Sequence, residues 1–376
     1  MALITYLTKI QFDYGALGLL SDELAGLGIR RPMIVTDPGL AASGVLDQVR
    51  GALNGTGATV YDQTPANPTE AAVRDALALY RSEGCDGLIG VGGGSSIDLA
   101  KGVRLLATHD GPLAHYAMSE GGVGRIRPDI AKLIAVPTTA GTGSEVGRGA
   151  VVIMDDGRKL GVVSPHLIPN VAICDPDLTL SLPPGLTAGT GMDAIAHCVE
   201  TYLSNAINPP AEGIALDGLR RASQHIRRAT QDGQDREARW NMMMAAMEGA
   251  MAFQKGLGAV HAMSHPLGAL PGLSLHHGTL NAVVMPAVLR FNRDHVGDKY
   301  AVVATTMGLP EGQDLPDAIT ALNAELHLPA NLREMGVTDA QLPTLAEQAN
   351  ADHTNPTNPR PAGVADYLAL FQEAMG

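Results

Sequence analysis

The chain has 376 residues, enough at roughly 100–200 residues per domain for two domains with full cores. Apolar residues make up 45% and Asp, Glu, Lys and Arg 17%, which excludes a charged disordered chain and fits a turn-rich globular one. With 26 Lys and Arg against 39 Asp and Glu the formal charge is −13, so the averaged field repels nucleic acid and anionic membrane surfaces, and an anionic ligand has to be captured by a local device such as a helix start.

At its start the chain reads Met1-Ala-Leu-Ile-Thr-Tyr-Leu-Thr-Lys9, which puts the first cation after the apolar stretch and lacks the ordering of a signal peptide. Apolar windows such as 150–154 are far too short for a bilayer. Cys85, Cys174 and Cys198 are too few and too scattered for a disulfide framework or a thiolate metal cage, and a cytoplasmic location is expected.

Up to about Ser181 short β-rich runs alternate with helical stretches. Residues 32–36, 59–61, 87–91 and 132–136 read as strands ending near Gly, Asp or Pro, and Ala72, Val73, Ala76, Leu77 and Tyr80 recur at helical spacing within 69–83. This predicts an α/β domain over 1–181, a largely parallel sheet with helices on both faces and ligands at the C-terminal ends of the strands. Beyond Pro183-Pro184 the segments 188–203, 211–228, 236–251, 281–291 and 315–326 all show helical patterning, so 182–376 is expected to be a helical domain packed on the first with a cleft between them. The stripe Ala215, Leu219, Ala222 and Ile226 reads as core.

The residues that could do chemistry follow in chain order. Asp37, just past the first strong strand, could accept from an adenosine ribose and disfavour a 2′-phosphate, hence NAD over NADP; an Asp-Pro turn is the plainer reading. Gly92, Gly93 and Gly94 join a strand to a helical pattern, which suits a diphosphate cradle or a tight turn. Thr138, Thr139, Thr142 and Ser144 crowd hydroxyls into one loop, as phosphate donors or as a capping series with Thr142 or Ser144 at the helix start. Arg148 stands among small apolar residues and wants an anion, either a ligand or an acid such as Glu145; Lys159 is a turn lysine or a cofactor contact. Asp193 and His197 are four apart on one helix, His261 and His265 on another, and His276-His277 lie in a loop. One carboxylate with several imidazoles suits a catalytic Fe²⁺ or Zn²⁺ ion.

The motifs Gly92-Gly-Gly-Ser95-x-x-Asp98-x-Ala-Lys101, Pro137-Thr-Thr-Ala-Gly-Thr-Gly-Ser-Glu145, Gly191-Met-Asp-Ala-Ile-Ala-His197 and His261-x-x-x-His265 with His277-Gly278 together resemble the iron-containing (group III) alcohol dehydrogenases over essentially the whole chain. The resemblance implies a dehydroquinate-synthase-like fold, with an N-terminal Rossmann-like NAD-binding α/β domain, a C-terminal all-α metal-binding domain, the active site between them, and a homodimer. It implies Asp193, His197, His261 and His277 as ligands of Fe²⁺ or Zn²⁺, with His265 near the nicotinamide as a proton-relay residue. The pyrophosphate would rest on Gly94 and Ser95, Asp37 and Asn67 would hold the adenosine side, Thr138, Thr139 and Ser144 the phosphates and nicotinamide side, and Lys159 a ribose hydroxyl.

Within the family, residues 1–7, Ala252-Phe-Gln-Lys-Gly-Leu-Gly258, Leu275-His-His-Gly-Thr-Leu-Asn281 and Thr357-Asn-Pro-Arg360 look most like the bacterial 4-hydroxybutyrate dehydrogenases. That implies reversible hydride transfer between nicotinamide and a small aliphatic alcohol or aldehyde, with 4-hydroxybutyrate and succinate semialdehyde as the expected pair. Four phenylalanines and one tryptophan leave few large aromatic walls, which suits a small aliphatic substrate. Lactaldehyde or propanediol, simple primary alcohols and maleylacetate are the alternative substrates, and a metal-dependent lyase on the same fold the alternative reaction. For a carboxylated substrate Arg148, Lys255 and Arg360 are candidate anchors, from their placement near the motif segments.

Overall fold

The computed structural model describes residues 8–376, so the readings made at residues 1–7 lie outside the described residues. The chain divides into two compact units. Of the described residues, one comprises 8–139 together with Gly143–Ser181; the other comprises Ala140–Thr142 and Leu182–Gly376.

The first unit is built on β1 (Lys9–Phe12), β2 (Pro32–Val35), β3 (Thr59–Tyr61), β4 (Gly87–Gly92), β5 (Lys132–Pro137), β6 (Gly149–Ile153), β7 (Lys159–Val163) and β8 (Val171–Cys174). Six of these pair in parallel in the order β1-β8-β5-β4-β2-β3, while β6 and β7 form an antiparallel hairpin. Parallel neighbours cannot be joined by a tight turn, and the crossovers run through α1 (Leu20–Leu27), α2 (Pro38–Ala42), α3 (Val45–Ala52), α4 (Glu70–Ser82) and α5 (Gly94–Leu106). Strand residues are buried on both faces: Met33, Val35, Leu88 and Leu133 meet Val73, Leu77, Leu99 and Val103, while Ile34, Ile89, Val91 and Ile134 meet Leu20, Leu24, Val45 and Val49. Each such side chain contributes roughly 1.5–3 kcal/mol by leaving water. The order of the strands also places a ligand crevice. After β2 the chain moves outward to β3, whereas after β4 it moves the opposite way to β5, so the switch lies between the C-terminal ends of β2 and β4.

The second unit is helical: α6 (Pro184–Leu203), α7 (Pro209–Gln231), α8 (Arg236–Ala252), α9 (Ala259–Leu267), α10 (His277–Asn292), α11 (Lys299–Thr306), α12 (Leu315–Glu325), α13 (Leu342–Asn350) and α14 (Val364–Ala374). Every residue of α6 from Thr187 to Leu203 is buried, because α7, α8 and α10 pack around it. A helix surrounded on all sides needs no polar face, and a polar residue on it has a reason to be there. The stripe Ala215, Leu219, Ala222 and Ile226 is wholly buried, as its spacing predicts. Among the described residues no helix is long and apolar enough to cross a membrane.

Candidate metal centre and nucleotide cradle

Asp193 and His197 stand one turn apart on α6, and their polar side chains are almost completely buried. His261 on α9 and His277 at the first position of α10 join them. The Nε2 atoms of His197, His261 and His277 each lie 3.8 Å from Oδ1 of Asp193. Four ligand atoms at tetrahedral angles on bonds of about 2.0–2.1 Å would be ~3.4 Å apart; Asp193, His197 and His261 offer ligand atoms within 4.8 Å of one another, and His277 approaches the same carboxylate oxygen from α10. A close approach of backbones makes the arrangement possible. At Gly278 a Cβ would stand 2.1 Å from the Gly189 carbonyl oxygen and 2.9 Å from Cβ of Asp193, so only glycine lets the start of α10 reach α6 and bring His277 with it. The expected loop around His277 is therefore a helix start, with His276 as the N-cap and its Nδ1 accepting from Thr279 N.

The amide of Asn281, fully buried one turn into α10, lies among the same side chains. Its Nδ2 lies 2.7 Å from Asp193 Oδ1, 3.2 Å from His261 Nε2 and 3.3 Å from His277 Nε2, while its Oδ1 meets no donor. Side chains that converge in this way on one place are what a cation site requires. Charge follows burial and neighbours. Burial opposes the Asp193 charge, but the surrounding imidazoles hold its carboxyl far below the usual range. Burial pushes His197 down to about 4; the hydrogen bonds and charges of Asp193 and Glu200 outweigh burial at His261 and push it up to about 9.

His265 lies beside this set, its ring stacked on His277 at 5.5 Å and on His353 at 5.4 Å. Its Nδ1 donates to Asp352 Oδ2 at 2.8 Å, and Asp352 is itself held by Thr354 N and Oγ1 on Oδ1. Asp352, Asn281 and Glu200 are site residues that spacing alone does not single out, save that Glu200 is seven residues after Asp193 and shares its face of α6.

In the α/β unit Asp37 and the glycines meet at the switch between β2 and β4. Asp37 caps α2 by accepting from Leu40 N at 2.9 Å, and its Oδ2 lies 3.4 Å from where a Gly92 Cβ would be. Gly92 has φ +141° and no room for a side chain against Ser96, and Gly93 lies against Thr139, whose Oγ1 is 3.3 Å from its Cβ position. The first turn of α5 has no side-chain cap, and the buried Ser96 Oγ has no partner, so the helix start retains donors for an anion. Ser95 Oγ donates to the Ala66 carbonyl, and Lys159 Nζ donates to Asn67 Oδ1 at 2.8 Å. Thr138 N donates to the Gly92 carbonyl, which fixes the loop after β5 to the cradle.

Comparison with known proteins agrees in all parts of the chain. Residues 8–176 match the family description iron-containing alcohol dehydrogenase, and residues 187–375 match the C-terminal description of the same family. The chain belongs to the iron-containing alcohol dehydrogenase family. It is 58% identical to a 4-hydroxybutyrate dehydrogenase of Cupriavidus necator over 100% of both chains. Among solved structures it resembles a 1,3-propanediol oxidoreductase (TM-score 0.92, 36% identity, 99% of this chain and 100% of that one) and a sulfoacetaldehyde reductase from Bifidobacterium kashiwanohense in complex with NAD+ (TM-score 0.89, 26% identity, 100% of both).

This alcohol dehydrogenase uses several expected ligand-binding side chains internally. Ser144, expected to reach phosphates or nicotinamide, or else to cap a helix, caps none: its Oγ donates to Asp98 Oδ1 and accepts from Lys101 Nζ at 2.8 Å. No helix follows it, because residues 143–147 turn directly into β6. Lys101, fully buried, also donates to the Gly147 and Gly149 carbonyls, so Asp98 and Lys101 fasten this loop to α5. Thr142 is grouped with the helical unit, where Gly141 abuts Thr190 of α6. Glu145 is buried, and burial pushes its carboxyl up to about 7. Lys255 is not an open anchor: its Nζ donates to the Thr201, Tyr202 and Ser204 carbonyls at the end of α6 and is 3.0 Å from Glu212. Arg360 stacks over Phe291 at 3.9 Å and donates to its carbonyl. Arg148 is half-buried before β6, where burial lowers its pKa.

Proposed function

We propose that this oxidoreductase interconverts 4-hydroxybutyrate and succinate semialdehyde with NAD(H) and a divalent metal, iron or zinc, acting in the cytoplasm as a homodimer. The observation that carries the substrate is the 58% identity, over 100% of both chains, to the Cupriavidus necator 4-hydroxybutyrate dehydrogenase. Asp193, His197, His261 and His277 would hold the metal, and a divalent ion there supplies Lewis acidity toward the substrate oxygen. The nicotinamide nucleotide supplies the hydride acceptor or donor, with its diphosphate at the start of α5 and its adenosine ribose at Asp37, whose carboxylate disfavours a 2′-phosphate. Asn67 and Lys159, paired by their hydrogen bond, would meet ribose hydroxyls, and Thr138 and Thr139 would line the phosphates. His265 handles the proton. Because its Nδ1 donates to Asp352, its Nε2 is the atom left to accept one. For the substrate carboxylate the proposed cation is Arg148, half-buried just before β6.

The likeness to 1,3-propanediol oxidoreductase favours a second reading, an uncharged diol as substrate. One assay separates the two: NADH or NADPH oxidation by protein loaded with Fe²⁺ or Zn²⁺, or stripped by chelator, against succinate semialdehyde, lactaldehyde, 3-hydroxypropanal, propanal and maleylacetate. The expected result is metal-dependent, NADH-preferring turnover with succinate semialdehyde at least tenfold ahead in kcat/KM. R148M should raise KM for succinate semialdehyde about tenfold and leave propanal unaffected, and H265Q should lose turnover with every aldehyde. Equal rates with charged and uncharged aldehydes would remove the carboxylate-specific assignment, and full H265Q turnover from neutral to alkaline pH would remove the proton role.

A further inference from the structure

We infer that Glu200 is a positioning residue that sets the metal affinity of the centre by fixing the tautomer and orientation of His261. The inference rests on the assignment of Asp193, His197, His261 and His277 as the metal ligands.

Glu200 follows Asp193 and His197 on α6 at the seventh and third positions, on the face that carries both. It is 6% exposed, and an acid so buried requires partners. It has three. Oε1 accepts from Val260 N at 2.7 Å, and Oε2 accepts from His261 N at 3.3 Å and from His261 Nδ1 at 2.6 Å. The two backbone bonds cap the exposed N–H groups at the start of α9, where a negative charge also meets the positive end of the helix dipole. They hold the carboxylate in place, so it can in turn hold a side chain. A neutral imidazole carries one N–H; with that proton on Nδ1 facing Glu200, the lone pair is on Nε2. Nε2 is the atom that faces Asp193 Oδ1. One acid on α6 thus aims a ligand on α9 toward the two ligands of its own helix. Outer partners of this kind commonly alter metal affinity about 10–100-fold.

A capping role alone would also explain a buried acid at this point, and Asn358 allows the two to be separated. Its Oδ1 accepts from Ala259 N at 3.1 Å, at the same end of α9, without a bond to His261. The experiment uses the full chain and Zn²⁺ as the probe, with affinity read by competition against a chromogenic chelator and the His261 imidazole proton read by NMR of the zinc-loaded, ¹⁵N-histidine-labelled protein. Wild type should bind one Zn²⁺ per chain and show a strongly hydrogen-bonded Nδ1 proton. E200Q keeps the volume and one acceptor but presents an amide, and it should bind Zn²⁺ about tenfold more weakly with that proton signal shifted or lost; E200A should be weaker still. N358A should lower Tm and leave Zn²⁺ affinity within about twofold. If E200Q and E200A bind within twofold of wild type, or if N358A weakens binding as much as E200Q, the positioning role is overturned. If wild type itself takes up no stoichiometric Zn²⁺, the ligand assignment fails and this inference with it.

Discussion

Lys255 shows how a residue beside a motif can be committed to the scaffold. Its ammonium group lies under the end of α6, donating to three carbonyls that the helix leaves unpaired, with Glu212 as its counter-charge. Burial, partly offset by Glu212, pushes its pKa down to about 8. Replacing it leaves buried acceptors without donors, which costs about 2 kcal/mol for bonds made by a charged group. K255M should therefore lower Tm by roughly 4–8 °C. KM for succinate semialdehyde should stay within twofold of wild type. A tenfold rise in KM with an unchanged Tm would restore Lys255 as a substrate anchor. In the sequence Lys255 is a candidate only because it stands beside motif segments, which does not show which way its side chain goes. The same is true of Ser144: its loop was legible, while the buried Asp98 and Lys101 that engage its hydroxyl are partners only after α5 and the 143–149 segment have packed.

At the scale of elements, legibility follows local spacing. Asp193 with His197, and His261 with His265, were readable because a helix repeats every 3.6 residues and puts such pairs on one face. Asp352 and Asn281 were not, since their link to the histidines exists only where α10 and the segment after α13 fold back onto them. The strands at 32–36, 59–61, 87–91 and 132–136 were legible from short apolar runs ending in turn residues, but the order that makes β2 and β4 a switch point is tertiary. The pairing of α7 with α8 has a further consequence. Glu248 on α8 faces Asp217 on α7, with Arg221 Nε 3.5 Å from its Oε2. Burial first, and then the charge of Asp217, push the Glu248 carboxyl up from 4.5 to about 8. Between those values the folded chain holds a proton that the unfolded chain has released, so stability falls as pH rises from about 4.5 to 8 and is level above. E248Q keeps the hydrogen bond to Asp217 without the charge cost. It should raise Tm at pH 8 by roughly 2–4 °C, the shift that ~1 kcal/mol produces in a unit of this size, and leave Tm at pH 4.5 unchanged. An equal shift at both pH values would mean that the effect is packing and not ionisation.

For the whole molecule, the proposed metal ligands are distributed over three helices that are far apart in sequence, with Asp193 and His197 on α6, His261 on α9 and His277 on α10. Asp193 and His197 are four residues apart, but His261 and His277 reach them only in the folded chain, so a bound ion would stabilise the folded helical unit by mass action, ~4 kcal/mol when free metal is a thousandfold above its Kd. The sheet of the α/β unit contributes no ligand, and its strands are held by their own ladder and by apolar residues on both faces. Chelation should thus loosen one part of the molecule selectively. Measured by hydrogen–deuterium exchange of the zinc-loaded protein with and without chelator, amides of α6, α9 and α10 should gain deuterium at least tenfold faster on metal removal. Those of β2, β4 and β5 should be unaffected. NADH added to the same samples should instead slow exchange at the start of α5, the proposed donor site for its diphosphate, and around Asp37, the proposed acceptor for its ribose. If chelation exposed the β-strands as much as the helices, the metal would be stabilising the chain as one cooperative block, and the division of labour between a nucleotide-holding sheet and a metal-holding helical bundle would have to be given up.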